Sequence, residues 1–136
     1  MRTSRLYSVV TLYDCMQDPA TFAWLVQCDI PLPGEVPPGR YPAPAVIQRV
    51  IDALSGLRTN YVIGRAVWEV TVISRKDVVW ATLAVSDYSG DPEIPHRFYF
   101  AAGWDEMILT LTSELVSYCG PLVLLHESGL PPQVVM

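Results

Sequence analysis

Two alternating apolar runs, residues 66–73 and 78–85, meet at the polar tetrad Ser74-Arg75-Lys76-Asp77. Period-two alternation suits a pleated strand and no helix. A polar connection of four residues between two such runs is an ordinary hairpin turn. In the first run Trp68, Val70 and Val72 share one face, with Val67, Glu69 and Thr71 on the other. In the second run Val79, Ala81, Leu83 and Val85 lie opposite Val78, Trp80, Thr82 and Ala84. Both faces are largely apolar. The hairpin is therefore expected at the centre of a well-covered sheet, or with one face kept for a partner.

The rest of the chain is read around that hairpin. Residues 6–13 are rich in Val, Thr and Tyr and predict a first strand. Asp18-Pro19 has the form of a helix cap followed by a first-position proline. Over residues 21–29 two periods compete. Phe22, Trp24, Val26 and Cys28 alternate as a strand, whereas Phe22, Leu25 and Val26 share a helical face. The aromatic and β-branched content favours the strand. Residues 31–44 hold six prolines and two glycines, which excludes ladder and helix alike and predicts an irregular loop. Such a loop is either a stiff recognition element or a spacer carrying the chain across the sheet.

Residues 45–57 predict a helix, with Ile47, Val50, Ile51 and Leu54 on one buried face and Gly56 at its stop. Arg58-Thr59-Asn60 reads as a turn, and Tyr61-Val62-Ile63 as a short strand ended by Gly64. After the hairpin, residues 86–94 form an acidic loop, and residues 95–101 a strand broken by Gly103. A second helix opens at Trp104. Its stripe of Trp104, Met107, Ile108, Leu111, Leu115 and Tyr118 or Cys119 faces the core, and Gly120-Pro121 stops it. Residues 122–126 make a strand buried on both faces, and residues 133–135 a short edge strand. The expected architecture is one α+β domain over residues 1–136, a single mostly antiparallel sheet of about five to seven strands with two helices packed on it.

Composition narrows the function classes. Charged residues are 17% of the chain, below the usual quarter or so. The net charge is −5, and the basic residues are scattered apart from Arg75-Lys76, which argues against nucleic-acid binding. A membrane span is not expected, since no apolar run approaches the length it needs. Nor is a signal peptide, because Asp14 breaks the first apolar run, so a cytoplasmic location is expected. The acidic balance fits solubility or a basic partner.

No catalytic motif stands out. Cys15, Cys28 and Cys119 are odd in number and form no CxxC pair, and His96 and His126 lie far apart, so neither metal nor cofactor is expected. Placed on Asp87, a calcium-loop pattern would put Pro92 where glycine is needed and Phe98 at the bidentate position, so it fails. Gly-rich phosphate cradles are absent. Asp87, Asp91 and Glu93 instead suit the basic side chains of a partner, with Tyr88 and Trp80 expected as exposed aromatic anchors near them and Tyr41 as a further anchor in the Pro-rich loop.

From residue 104 to 135, an amphipathic helix ends at Tyr118-Cys119-Gly120-Pro121, the buried run Leu122-Val123-Leu124-Leu125 follows, and Ser128-Gly129 leads to Gln133-Val134-Val135. This quarter of the chain resembles small bacterial immunity proteins, which neutralise a cognate toxin delivered between cells. The resemblance implies a single acidic α+β domain without enzymatic activity, blocking the toxin's active or partner-binding surface. The rival expectations are a secretion chaperone for an effector protein, and a small enzyme using Glu69 or His96.

Overall fold

The structure is a computed structural model, and it describes residues 6–54, 58–62, 66–73 and 78–136. Side chains at residues 58–62, 72, 73 and 78 are not described. The elements in chain order are β1 (Tyr7–Thr11), α1 (Leu12–Gln17), α2 (Pro19–Gln27), α3 (Pro44–Ala53), β2 (Arg58–Val62), β3 (Val67–Ile73), β4 (Val78–Val85), β5 (Phe98–Gly103), α4 (Asp105–Cys119), β6 (Leu122–His126) and β7 (Gln133–Val135). The strands form one seven-stranded sheet in the order β2-β3-β4-β5-β1-β6-β7, with every neighbouring pair antiparallel. The α+β expectation and the strand count hold. The expected pair of helices corresponds to α3 and α4, and α1 and α2 are additional.

The hairpin registers as the alternation requires. Trp68 pairs with Leu83, Val70 with Ala81 and Val72 with Val79. This face carries the main core. Trp68, Val70, Ala81, Leu83 and Phe100 of the sheet meet Ile47 and Ile51 of α3 and Ile108, Leu111 and Leu115 of α4, all buried. The two expected helices therefore lie on the same side. Leu122 and Leu124 join this core, while Val123 faces the opposite side and is equally buried, so β6 is covered on both faces as its continuous apolar run implies.

The opposite side is covered over β1 and β6 by a smaller cluster of Leu12, Cys15, Leu25 and Val123, with Ile30 and, from the Pro-rich segment, Leu32 and Val36 packed around it. α1 and α2 stand here, and both depart from the strand reading. Thr11 caps α1 by accepting from the Asp14 N–H at 3.2 Å, so the first strand ends at Thr11 and Tyr13 is helical. Asp18 closes α1 and caps α2, accepting from the Thr21 N–H at 3.3 Å, with Pro19 in the first turn. This cap decides the competition over residues 21–29 in favour of helix. The alternating set does not share one buried face, since Phe22 and Val26 are exposed and Trp24 and Cys28 half-buried, and the expected helical face is divided too, since Leu25 alone of the helix is fully buried.

Three smaller corrections have equally local causes. Arg58, Thr59 and Asn60 are not a turn but pair with Thr71, Val70 and Glu69, because β3 supplies the ladder. The strand expected over 95–101 starts later, at Phe98, and runs on to Gly103, which is its last residue and pairs with Ala81. Trp104 leaves the core stripe because it occupies the N-cap of α4, where the backbone is extended, and its side chain is 46% exposed. The tetrad 74–77, Gly56 and Gly64 lie outside the described residues.

Residues 31–43 are an irregular strap with tight fastenings. The Arg40 N–H donates to the Cys119 carbonyl at 3.1 Å, and its Nε donates to the Tyr118 carbonyl at 2.9 Å. The guanidinium also lies 3.7 Å from the centre of the Tyr118 ring. A cation and two donors thus meet the negative end of α4, whose own last turn holds no basic residue. The strap spans from the α1–α2 side to the start of α3.

Candidate partner-binding surfaces

The acidic loop closes on itself before it meets anything else. The Ser86 N–H donates to the Arg97 carbonyl at 2.8 Å across the loop's neck, and Asp91 Oδ1 accepts from the Glu93 N–H at 2.9 Å. His96 ties the two arms. Its Nδ1 lies 2.6 Å from the Ile94 carbonyl, a contact that requires the proton on Nδ1. Nε2 is then the acceptor for the Ser89 N–H at 3.1 Å, with Ser89 Oγ also at 3.1 Å. Tyr88 sits edge-on to the same imidazole, 5.4 Å between ring centres, and its body packs on the main core.

The loop then docks on α3. The Pro92 carbonyl accepts from the Ala45 N–H at 2.9 Å, and the Pro42 carbonyl from the His96 N–H at 3.2 Å. Ala43, at the N-cap of α3, gives no side-chain cap, so Pro92 supplies the acceptor for the helix start. Asp91 and Glu93 flank that carbonyl in sequence, at the positive end of the helix. The acidity of the loop thus has a structural cause, while Asp87, Asp91 and Glu93 all remain exposed to a partner. Asp87 adopts a left-handed φ of 50°, which an Asp tolerates better than most residues.

Tyr41 is a fastening more than a free anchor. Its hydroxyl donates to Asp14 Oδ2 at 2.8 Å and accepts from the Thr11 N–H at 3.2 Å. Arg97 lies over its ring at 5.4 Å and 3.9 Å from the same Asp14 oxygen. Burial, above all, holds the phenol above its ordinary pKa. Tyr41 therefore joins the acidic loop's neck, the strap and the start of α1, and it is half-buried.

Trp80 belongs to a different surface. It faces away from α3 and α4, opposite Thr71 of β3, and is 39% exposed. Val67, Glu69, Thr71, Thr82 and Ala84 share this face of β3 and β4; Glu69 is exposed, Val67, Thr71 and Thr82 are half-buried and Ala84 is buried. The Trp104 N–H donates to the Trp80 carbonyl at 2.8 Å, so two exposed indoles arise from directly bonded backbones. Trp80 and the acidic loop occupy opposite ends of β4, roughly 20 Å apart at strand rise. The structure brings Tyr41, Tyr88, Asp87, Asp91 and Glu93 to one end of the sheet and leaves Trp80 at the other, so the expected neighbourhood of Trp80 and the acidic loop does not form, because the extended run of β4 lies between them. Sequence reading missed Trp104 as the second aromatic. Its place before Asp105-Glu106, where a helix must start, was the available signal.

Reactive chemistry is sparse in this framework. His126 Nδ1 contacts Ser128 Oγ at 2.7 Å, but accepts the Ser128 N–H at 3.0 Å as well, as His96 does with Ser89. Both histidines are thereby turn-closing acceptors. Among the described residues no three His, Cys, Asp or Glu side chains gather in a metal-binding arrangement, and no helix is long and apolar enough to cross a membrane. Burial pushes the Cys15 thiol up to about 11 and the Cys119 thiol up to about 12.

These thiols give a pH prediction. A buried neutral thiol contributes stability that is intact below the unfolded-state pKa near 9. That contribution falls as pH rises through the folded values, because the unfolded chain loses the proton first. Denaturant midpoints should therefore decline between about pH 9 and pH 12, and substituting Cys15 and Cys119 by alanine should flatten the decline. Iodoacetamide at pH 8 should label Cys28, which is half-buried, well before the other two.

No family model matches the chain, and no curated protein or solved structure is significantly similar to it.

Proposed function

We propose that the protein binds and blocks a basic protein, as a bacterial immunity protein neutralises its cognate toxin. The observation that carries this reading is the pair of exposed indoles, Trp80 on the face of β3 and β4 turned away from α3 and α4, and Trp104, whose N–H donates to the Trp80 carbonyl. Tryptophan is among the side chains most enriched at positions that dominate binding energy. The net charge of −5 supports a basic partner. Asp87, Asp91 and Glu93 lie too far from Trp80 to share one contact patch with it, and act by steering the approach.

The test is co-expression with the products of neighbouring genes, read as rescue of growth and as co-purification. A toxic neighbour should be neutralised by the wild-type chain. Trp80→Ser with Trp104→Ser should weaken the complex at least about 30-fold. Asp87→Asn with Asp91→Asn and Glu93→Gln should slow association and flatten its salt dependence. Neighbours that are neither toxic nor bound would sink the immunity reading. A stable dimer that captures an exported effector would point to the secretion-chaperone alternative.

A further inference from the structure

Among the described residues, nothing packs on the outward face of α2 to explain its composition. The helix reads Pro-Ala-Thr-Phe-Ala-Trp-Leu-Val-Gln and carries no charge. Leu25 faces the core. Pro19, Phe22, Ala23 and Val26, at the 0, 3, 4, 7 spacing of a single helical face, are all exposed, Phe22 at 39% and Val26 at 53%. Isolated exposed apolar residues are ordinary on any protein. A complete apolar stripe on the solvent side of an uncharged helix is not, since surface helices put polar residues there. Asp18 and Asp29, both exposed, bracket the stripe, about 16 Å apart at helical rise.

We infer that α2 is a docking element for a protein surface that presents an apolar ridge between two basic residues. The bracketing carboxylates select this occupant. A second copy packed antiparallel would set Asp18 of one chain against Asp29 of the other at both ends, on top of a net charge of −5 each. A membrane surface fits poorly, because interfacial helices carry Lys and Arg, and anionic headgroups would repel both carboxylates. A basic partner satisfies the stripe and its ends together. The inference is independent of the surface at Trp80, since Leu25 seats α2 over Val123 of β6 and not over the hairpin.

The test pans a phage-displayed library of random 16-residue peptides on the immobilised full chain and measures the enriched peptides by fluorescence anisotropy. Enriched sequences should hold apolar residues flanked by Lys or Arg. Phe22→Ser with Val26→Ser should weaken them about tenfold or more. Asp18→Asn with Asp29→Asn should weaken them severalfold and reduce the salt dependence. Asn still caps a helix and tolerates a left-handed backbone, so this variant keeps the fold. Circular dichroism checks both variants. Trp80→Ser with Trp104→Ser should leave the affinity unchanged, which separates this surface from the one proposed above. Peptides without basic flanks, or peptides that bind the Phe22/Val26 variant equally well, would overturn the inference. So would a wild-type dimer, or binding to phosphatidylglycerol vesicles, that the Phe22/Val26 variant abolishes.

Discussion

Trp68→Ala should destabilise the protein by about 3–5 kcal/mol, a large part of the roughly 5–15 kcal/mol that holds a domain of this size. Trp68 is fully buried near the start of β3, on the face that meets α3. Its Nε1 donates to Gln48 Oε1 at 2.7 Å, and Gln48 Nε2 donates on to Asp52 Oδ1 at 2.9 Å. Truncation leaves a cavity between sheet and helix and takes the donor from a half-buried amide oxygen. Trp68→Phe separates the two effects, because it keeps most of the volume and loses the bond, and about 1–2 kcal/mol is expected for it. Guanidinium unfolding followed by far-UV circular dichroism measures both. A loss under about 1 kcal/mol for the alanine variant would mean that α3 does not lie on this face.

Gly103→Ala should cost about 2–4 kcal/mol, from added strain and overlap together. Gly103 has a φ of 145°, where a side chain is strained in any surroundings. A methyl there would lie 2.6 Å from the Ala81 Cα, 2.7 Å from its Cβ and 2.9 Å from the Trp80 carbonyl oxygen. Two of those three atoms are backbone of the central hairpin and cannot swing aside. The close passage is where the chain leaves β5 and turns into α4. Gly34→Ala is the matched control, since nothing lies within 4 Å of a methyl at that site. It should be neutral or slightly stabilising, through the unfolded chain alone. Thermal melts of the pair settle the comparison.

The central hairpin, α3, α4 and the doubly covered β6 were legible because each is specified within its own window. Alternation fixed Trp68, Val70, Ala81 and Leu83 on one face, and Gly120-Pro121 fixed the end of α4. Residues 21–29 were misread because an apolar helix with one buried residue looks like a strand by composition, and the Asp18 cap was given too little weight. Arg58 to Asn60 were misread because β3, and not their own sequence, makes them a strand. The Tyr41–Asp14 bond crosses 27 positions with no local signature. The separation of Trp80 from the acidic loop was readable, since an extended run from Trp80 to Val85 places its ends far apart.

The sheet order also dictates a sequence of events. β2 to β5 are neighbours in both chain and sheet, so that meander can assemble through short closures. β1 cannot, because Tyr7 must find Phe100 on one side and His126 on the other. It is the wedge that joins the meander to β6 and β7. Until it is seated, β5 and β6 each present an unpaired apolar edge. The slow step of folding, and the interval of greatest exposure to aggregation, should therefore be the insertion of β1.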